Sequence, residues 1–166
     1  MHVPSTLVDY VVVDPDQMQA TQTPYDPAIS GEVRRPLAAF PPVPFGADKV
    51  IARRAAMELA SGDAVNLGFG ISPLVPRILI EEGRQDEVTW AIEQGPVGGV
   101  PLDGFPFGCA ANAQAFMPSP YQFIYFQGGG FDVGLLSFLE VGADGSVNVS
   151  RLASRPHVTA GCGGFV

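Results

Sequence analysis

The chain has 166 residues, enough for one domain with a hydrophobic core, and its formal net charge is −8. Its nine Lys and Arg residues are scattered and form no basic stripe, which argues against a nucleic-acid-binding protein. Charged residues make up only 16% of the chain, against about 25% in an average domain. This predicts either strands that are buried on both faces, as in parallel sheets, or a surface that another domain covers.

The two cysteines, Cys109 and Cys162, lie far apart and lack the spacing of metal ligands. This pattern favours reduced thiols in the cytosol. The sequence shows neither a signal peptide nor an apolar run of about 18 residues that could span a membrane. We therefore expect a soluble, cytoplasmic protein that binds no metal.

The first 44 residues divide into a strand pattern and a proline-rich stretch. Residues 7–13 are rich in valine and predict a strand, although no nearby segment offers it a partner. Residues 14–44 are polar and rich in proline, which indicates a linker or a segment that lies over a surface. Because so little precedes this linker, and because the chain stops within the glycine-rich residues 161–166, we expect a chain that is truncated at both ends.

Residues 48–92 alternate helices and strands. The predicted elements are a helix at residues 48–60, a strand at 64–67, a helix at 72–82 and a strand at 88–92. Asp48 can cap the first helix, and Ser72-Pro73 can begin the second. The predicted buried face of the first helix holds Ile51, Ala55 and Leu59. Short connections in this order imply a parallel sheet, whose ligand site lies at the carboxyl ends of the strands.

The last third of the chain is less regular. Its predicted elements are a brief helix at residues 112–116, a strand at 121–126, a glycine turn at 128–130, an apolar stretch at 131–141 and a strand at 147–150. Asp144-Gly145 predicts a hairpin turn before that last strand, since Asp-Gly favours such turns.

Glu93 follows the apolar residues 88–92 directly, and Gly95, Gly98 and Gly99 come soon after it. A strand can deliver a reactive carboxylate in this way, and the glycines leave room for a bulky substrate near the backbone. A carboxylate can attack an activated acyl group to give a mixed anhydride, which a thiol then converts to a thioester. A general base, a metal ligand and a hydrogen-bonded polar residue at a strand end remain alternative interpretations of Glu93.

Gly68-Phe69-Gly70 follows the other predicted strand and can offer backbone N–H groups to an oxyanion or a phosphate. Pro73 and Pro76 lack an N–H group, so the amides of Phe69 and Gly70 are better donors than the helix that follows. A tight turn without a ligand explains the loop equally well. The same two interpretations apply to the glycine runs at residues 128–130 and 161–164. Together these loops favour a long, thin ligand that lies against the backbone, and Asn112 could donate to it.

Residues 93–99, Glu-Gln-Gly-Pro-Val-Gly-Gly, resemble the catalytic glutamate motif of the family I CoA-transferases, particularly the fused acetate/propionate CoA-transferase type. Residues 65–71 look like the glycine loop that precedes this motif in the family. Three later family motifs are matched in the same order, at residues 128–132, 145–150 and 161–165. Residues 8–35 look like the last strand of the family's first domain and its linker, so the resemblance covers nearly the whole chain.

The resemblance implies an α/β fold with an open, mainly parallel sheet flanked by helices, which is incomplete here. Residues 1–46 would hold the last strand of a missing first domain and the linker. Residues 47–166 would hold the domain with the catalytic glutamate, truncated at its C-terminal end.

The resemblance also assigns roles to single residues. Glu93 attacks an acyl-CoA thioester and becomes a γ-glutamyl-CoA thioester, from which an incoming carboxylate takes the CoA. The backbone amides that stabilise the oxyanions are those of Phe69, Gly70, Gly163 and Gly164. The expected contacts with CoA are at Gly68, Gly95, Gly98, Gly99, Asn112, Gly128, Gly129 and Gly130. CoA is a substrate, and no metal or organic cofactor is implied.

The expected partners follow from the same resemblance. The substrates are an acyl-CoA and a small carboxylic acid, with no nucleic acid and no membrane involved. Because the family's active site lies between two similar domains, we expect a complementary CoA-transferase domain or a homo-oligomer, and little turnover by this chain alone. Two alternatives remain: an acyl-CoA hydrolase, if water reaches the glutamyl thioester, and a non-catalytic module that binds CoA or a partner.

Overall fold

A computed structural model describes residues 3–152 and 154–159. The helices are α1 Ala47–Ala56, α2 Val75–Glu81 and α3 Ser119–Gln127, and shorter 3-10 turns lie at Ser5–Leu7, Leu37–Ala39 and Ser72–Leu74. The strands are β1 Ala64–Leu67, β2 Thr89–Ala91, β3 Pro96–Val97, β4 Val100–Pro101, β5 Ala110–Ala111, β6 Ala115–Phe116, β7 Val133–Leu135, β8 Glu140–Val141, β9 Val147–Asn148, β10 Arg151–Leu152 and β11 Arg155–Thr159. None of the helices in this part of the chain is long and apolar enough to cross a membrane.

The main sheet has five strands in the order β6-β3-β2-β1-β7. The three strands β2, β1 and β7 are parallel, and Val65 of β1 lies between Trp90 of β2 and Val133 of β7. β3 and β6 extend the sheet on the β2 side in antiparallel orientation. The predicted α/β fold with a mainly parallel sheet is therefore confirmed, as is the order of helix, strand, helix and strand over α1 to β2.

The hydrophobic core lies between this sheet and the helices α1 and α2. The fully buried side chains come from all three layers, for example Val65 from β1, Trp90 from β2 and Ile78 from α2. On α1 the buried residues are Ala52 and Ala56, whereas the predicted Ile51 is 50% exposed. The other two predicted residues do reach the core, since Leu59 is 6% exposed and Ala55 packs against the buried cluster, so the prediction is wrong only at Ile51.

The ends of the helices differ in detail from the prediction. α1 begins after Gly46, and Asp48 lies inside its first turn instead of capping it. A carboxylate there still stabilises the helix, because the N-terminal end of the helix dipole is positive. Ser72 makes no capping hydrogen bond either, and it begins the 3-10 turn that leads into α2.

The predicted strand at residues 7–13 does not form. Over residues 3–46, all of which are described, the structure contains 3-10 turns and an isolated bridge between Ala20 and Thr23, but no strand. Tyr10, in the middle of the valine-rich run, is 90% exposed. A strand is stable only where a neighbouring strand completes its backbone hydrogen bonds, and no described segment does so here.

Residues 121–126 form a helix, so the strand predicted there is wrong. α3 begins at Ser119 and has Pro120 in its first turn, a position that favours proline because the missing N–H group is not needed there. The brief helix predicted at residues 112–116 is also wrong, since short strands flank residue 112 on both sides. The hairpin at Asp144-Gly145 is confirmed, because β8 and β9 pair around it.

Candidate active site

Glu93 lies in the tight turn that joins β2 to β3. The Ile92 N–H donates to the Pro96 carbonyl oxygen at 2.9 Å, and the Gly95 N–H donates to the Ile92 carbonyl oxygen at 2.9 Å. Trp90 and Ile92, on the strand side of the turn, are almost fully buried. The core therefore fixes the backbone just before Glu93, which follows the end of β2 at Ala91 by two residues.

A second segment, residues 117–119, is hydrogen-bonded to this turn. The Met117 N–H donates to the Gly95 carbonyl oxygen at 2.9 Å, and the Ser119 hydroxyl donates to the Glu93 carbonyl oxygen at 3.0 Å. Gly95 has a φ of +124°, and a Cβ on it would lie 2.1 Å from the Met117 carbonyl oxygen. Only glycine fits there, so the sequence at position 95 is explained by the contact with residue 117.

The carboxyl group of Glu93 is half-buried and, among the described residues, has neither a hydrogen-bond donor nor a cation beside it. Burial raises the pKa of this carboxyl group, because the charged form loses part of its hydration. A carboxylate without a partner in the protein keeps its oxygens available for an incoming group. This environment fits a nucleophile better than it fits a residue of an ion pair.

The loop after β1 lies beside the turn that carries Glu93. Asn66 of β1 pairs with Ala91 of β2 in parallel register, two residues before Gly68 and Glu93 respectively. The Gly68 N–H is used, since it donates to the Leu135 carbonyl oxygen at 2.8 Å. The N–H groups of Phe69 and Gly70 donate to no other residue in the described ranges. Two unused backbone donors therefore lie at the same edge of the sheet as the Glu93 carboxylate.

Gly98 and Gly99 lie away from Glu93, because β3 runs back along β2. The Gly98 N–H donates to the Trp90 carbonyl oxygen at 2.7 Å, and a Cβ on Gly99 would lie 2.3 Å from the Ala111 carbonyl oxygen. Both glycines line a cleft of about 470 Å³ near the start of β2, together with Asn112 and other residues. This cleft opens at the opposite end of β2 from Glu93.

Asn112 holds the long leading segment against the domain. Its Oδ1 accepts a hydrogen bond from the Arg35 N–H at 2.7 Å, and its Nδ2 donates to the Arg35 carbonyl oxygen at 2.8 Å. Its backbone is in the left-handed region, with a φ of 62°. Both ends of the side-chain amide are therefore engaged within the protein.

Gly128, Gly129 and Gly130 terminate α3. Their three N–H groups donate to carbonyl oxygens of the last turn of that helix, at distances of 2.9 to 3.0 Å. Two residues later, the Asp132 N–H donates to the carbonyl oxygen of Ala64, the first residue of β1. The triple glycine thus lies at the amino ends of the parallel strands, whereas Glu93 lies at the carboxyl ends.

The sequence pattern did not single out two buried polar residues, Asn66 and Gln122. Asn66 is buried in β1, and its Nδ2 donates to the Ala91 carbonyl oxygen at 3.0 Å. Gln122 is fully buried in α3. The available signal was the same for both, namely a single amide side chain inside an otherwise apolar run.

The remaining predicted site residues, Gly163 and Gly164, lie outside the described residues, as does Cys162. Within the described ranges, no group of three or more His, Cys, Asp or Glu side chains is arranged to hold a metal ion.

No protein-family model matches the chain. The caffeate CoA-transferase of Acetobacterium woodii is 41% identical to it over 169 residues, which cover 99% of this chain and 32% of that protein. The acetate CoA-transferase YdiF of Escherichia coli strain K12 is 36% identical over 167 residues, which cover 100% of this chain and 31% of YdiF. The chain thus spans about a third of the length of these relatives.

Solved structures show the same relationship. The crystal structure of the YdiF apoenzyme from Escherichia coli O157:H7 matches with a TM-score of 0.80 at 36% identity, covering 99% of this chain and 29% of that one. A YdiF structure described as a thioester complex with CoA matches with a TM-score of 0.75 at 34% identity, covering 96% of this chain and 30% of that one.

Proposed function

Because the chain is homologous along its whole length to part of the CoA-transferases, as its motifs predicted, we propose that it carries the nucleophile of such an enzyme. The nucleophile is Glu93. The observation that supports this role most directly is the half-buried carboxylate at the end of β2, which has no partner among the described residues. It lies at the same edge of the sheet as the backbone amides of Phe69 and Gly70, which donate to none of those residues. The relatives described above are named transferases, which favours transfer over hydrolysis or binding alone.

The proposed reaction begins when the Glu93 carboxylate attacks the carbonyl carbon of an acyl-CoA thioester. The C–S bond breaks, CoA leaves as a thiolate, and Glu93 is joined to the acyl group as a mixed anhydride. The thiolate then attacks the γ-carbonyl carbon of Glu93 and the donor acid leaves as a carboxylate. The product of this half-reaction is a γ-glutamyl-CoA thioester on the protein.

An incoming carboxylate completes the cycle by the reverse steps. It attacks the glutamyl thioester, CoA leaves again as a thiolate, and the thiolate attacks the acyl carbonyl carbon of the new anhydride. The acceptor departs as its CoA thioester and the carboxylate of Glu93 is regenerated, with no net gain or loss of protons. CoA is thus both a substrate and part of a covalent intermediate, and the steps require no metal.

Each step passes through a tetrahedral oxyanion, which needs hydrogen-bond donors. Phe69 and Gly70 supply two backbone N–H groups at the correct edge of the sheet. Losing one such donor commonly slows a reaction by about two to three orders of magnitude. Gly163 and Gly164 are proposed as further donors from the family resemblance. The contacts with CoA at the other predicted glycines and at Asn112 stay predictions.

We also propose which partner completes the site, which substrates it takes and in which compartment the reaction occurs. A complementary CoA-transferase domain, or another copy of the chain in a homo-oligomer, completes the site. A relative that is named as one subunit of an enzyme supports this. It is the β subunit of the acetate CoA-transferase of Haemophilus influenzae, which is 32% identical over 132 residues that cover 72% of this chain and 56% of that subunit. The proposed substrates are short-chain acyl-CoA and carboxylic acids, as in ketone-body or short-chain fatty acid metabolism, and the proposed compartment is the cytoplasm.

The test is the covalent intermediate itself. The protein is incubated with acetoacetyl-, propionyl- or acetyl-CoA, alone and with a complementary CoA-transferase domain, and its intact mass is measured. We expect a CoA adduct that borohydride reduces and that peptide mapping locates at Glu93. Glu93→Gln abolishes the adduct, whereas the control Glu58→Gln, at an exposed ion pair on the surface, keeps it. An adduct that survives Glu93→Gln, or no adduct even with the complementary domain, would overturn the proposal.

A further inference from the structure

Gln122 is the one buried residue of α3, with none of its surface exposed. Neither its Nε2 nor its Oε1 has a hydrogen-bond partner in the described part of the protein. A buried amide that makes no hydrogen bond destabilises a fold, and native proteins contain few such groups. A side chain of this kind is therefore a candidate for a role that the resting structure does not show.

The position of Gln122 on α3 relates it to Glu93. Ser119 lies three residues earlier, and its hydroxyl donates to the Glu93 carbonyl oxygen at 3.0 Å. Residues three apart share a face of a helix, with their Cβ atoms about 5–6 Å apart. The side chains of Tyr121 and Ile124 point from the other face and are 63% and 62% exposed. The face of α3 that carries Gln122 is therefore the face turned toward the Glu93 turn.

The Glu93 carboxylate, which can only accept hydrogen bonds, and the Gln122 amide, which can donate them, thus lie on adjoining elements. The Glu93 carboxylate lacks a donor among the described residues, and the Gln122 amide has two N–H groups and no acceptor. We propose that Gln122 is a positioning residue, whose Nε2 donates a hydrogen bond to Oε1 or Oε2 of Glu93 when that side chain turns toward the substrate. This inference rests on the proposed role of Glu93 as the nucleophile.

The chemistry of the reaction favours an amide over a cation at this place. Glu93 passes through a carboxylate, an anhydride and a thioester, and it keeps a γ-carbonyl oxygen in all three. A neutral N–H donor can bind that oxygen at every stage. A lysine or arginine would stabilise the carboxylate most, and it would be left buried without a counter-ion once the charge of Glu93 was gone.

The test separates this role from simple packing. Gln122→Met keeps the length of the side chain and removes the amide, and Gln127→Met, at the exposed end of the same helix, is the matched control. For both variants we would measure thermal unfolding and the single-turnover rate of CoA adduct formation at Glu93, as a function of pH and in the presence of the complementary domain.

We expect Gln122→Met to unfold at the same or a higher temperature than the wild type and to form the adduct about a hundredfold more slowly, as misplacement of a reacting group by about 1 Å would cause. Its rate–pH profile should shift to higher pH, because losing a donor to the charged form raises the pKa of Glu93. Gln127→Met should change neither quantity. Should Gln122→Met fail to fold, Gln122→Leu is the second variant for the same measurements.

The inference is wrong if the Gln122 variants keep the wild-type rate and pH profile, or if their rate falls only in proportion to the folded fraction. A wild-type protein that forms no adduct, or an adduct that survives Glu93→Gln, would instead refute the proposed function, and this inference with it.

Discussion

Gly95→Ala should destabilise the protein far more than an ordinary glycine substitution does. The residue has a φ of +124°, and an alanine Cβ would lie 2.1 Å from the Met117 carbonyl oxygen. The backbone strain alone costs roughly 1–2 kcal/mol. Relieving the clash requires residue 117 to move away, which breaks the hydrogen bond from its N–H to the Gly95 carbonyl oxygen and costs about another 1 kcal/mol.

The expected loss of about 2–3 kcal/mol is a large share of a typical unfolding free energy of roughly 5–15 kcal/mol. The control is Gly62→Ala, because Gly62 has a similar φ of +100° but no other atoms within 4 Å of the place that an alanine Cβ would occupy. Both variants would be unfolded in urea and their free energies compared with that of the wild type. Gly62→Ala reports strain alone, so the difference between the variants reports the contact with residue 117. Equal stabilities for the two variants would refute this explanation of Gly95.

Two further predictions concern stability. Asn112→Ala should expose residues 14–44 to proteases and lower the free energy of unfolding by about 1–3 kcal/mol, because the two hydrogen bonds to Arg35 are lost; limited proteolysis that shows an unchanged cleavage rate would contradict it. Glu93→Gln should stabilise the protein at pH 7. The raised pKa of Glu93 means that the folded state binds more protons than the unfolded state, so stability falls as pH rises through the unfolded and then the folded pKa. The gain should vanish below about pH 4 in urea titrations, and a gain that persists there would have another cause.

The sequence predicted the centre of the fold better than its margins, for a physical reason. β1 and β2 are short apolar runs bounded by turn residues, and each of them is buried against the helices α1 and α2. Local pattern and tertiary environment therefore agree for these strands. For residues 7–13 they do not agree, because propensity favours a strand while no described segment supplies its hydrogen bonds.

α3 shows the opposite conflict. The aromatic and β-branched residues at 121–126 have the propensity of a strand, yet Pro120 in the first turn and three glycines after Gln127 are start and stop signals of a helix. Those signals were available in the sequence. The burial of Gln122 could not be predicted from the sequence, since only the packing of α3 against the rest of the chain determines which face of this helix is covered.

The glycines that suggested a long ligand have two different explanations, and the sheet separates them. Gly68 and Gly95 lie at the carboxyl ends of β1 and β2, where Glu93 also lies, and Gly95 is buried against the Met117 carbonyl oxygen. The glycines at 128–130 cap α3 at the amino ends of the parallel strands, and their N–H groups are already bonded. Within the described residues, oxyanion stabilisation by backbone amides is therefore open to Phe69 and Gly70 but not to the triple glycine. A contact between CoA and residues 128–130 would have to use their Cα atoms or carbonyl groups, which can contribute packing along the ligand but no stabilisation of negative charge.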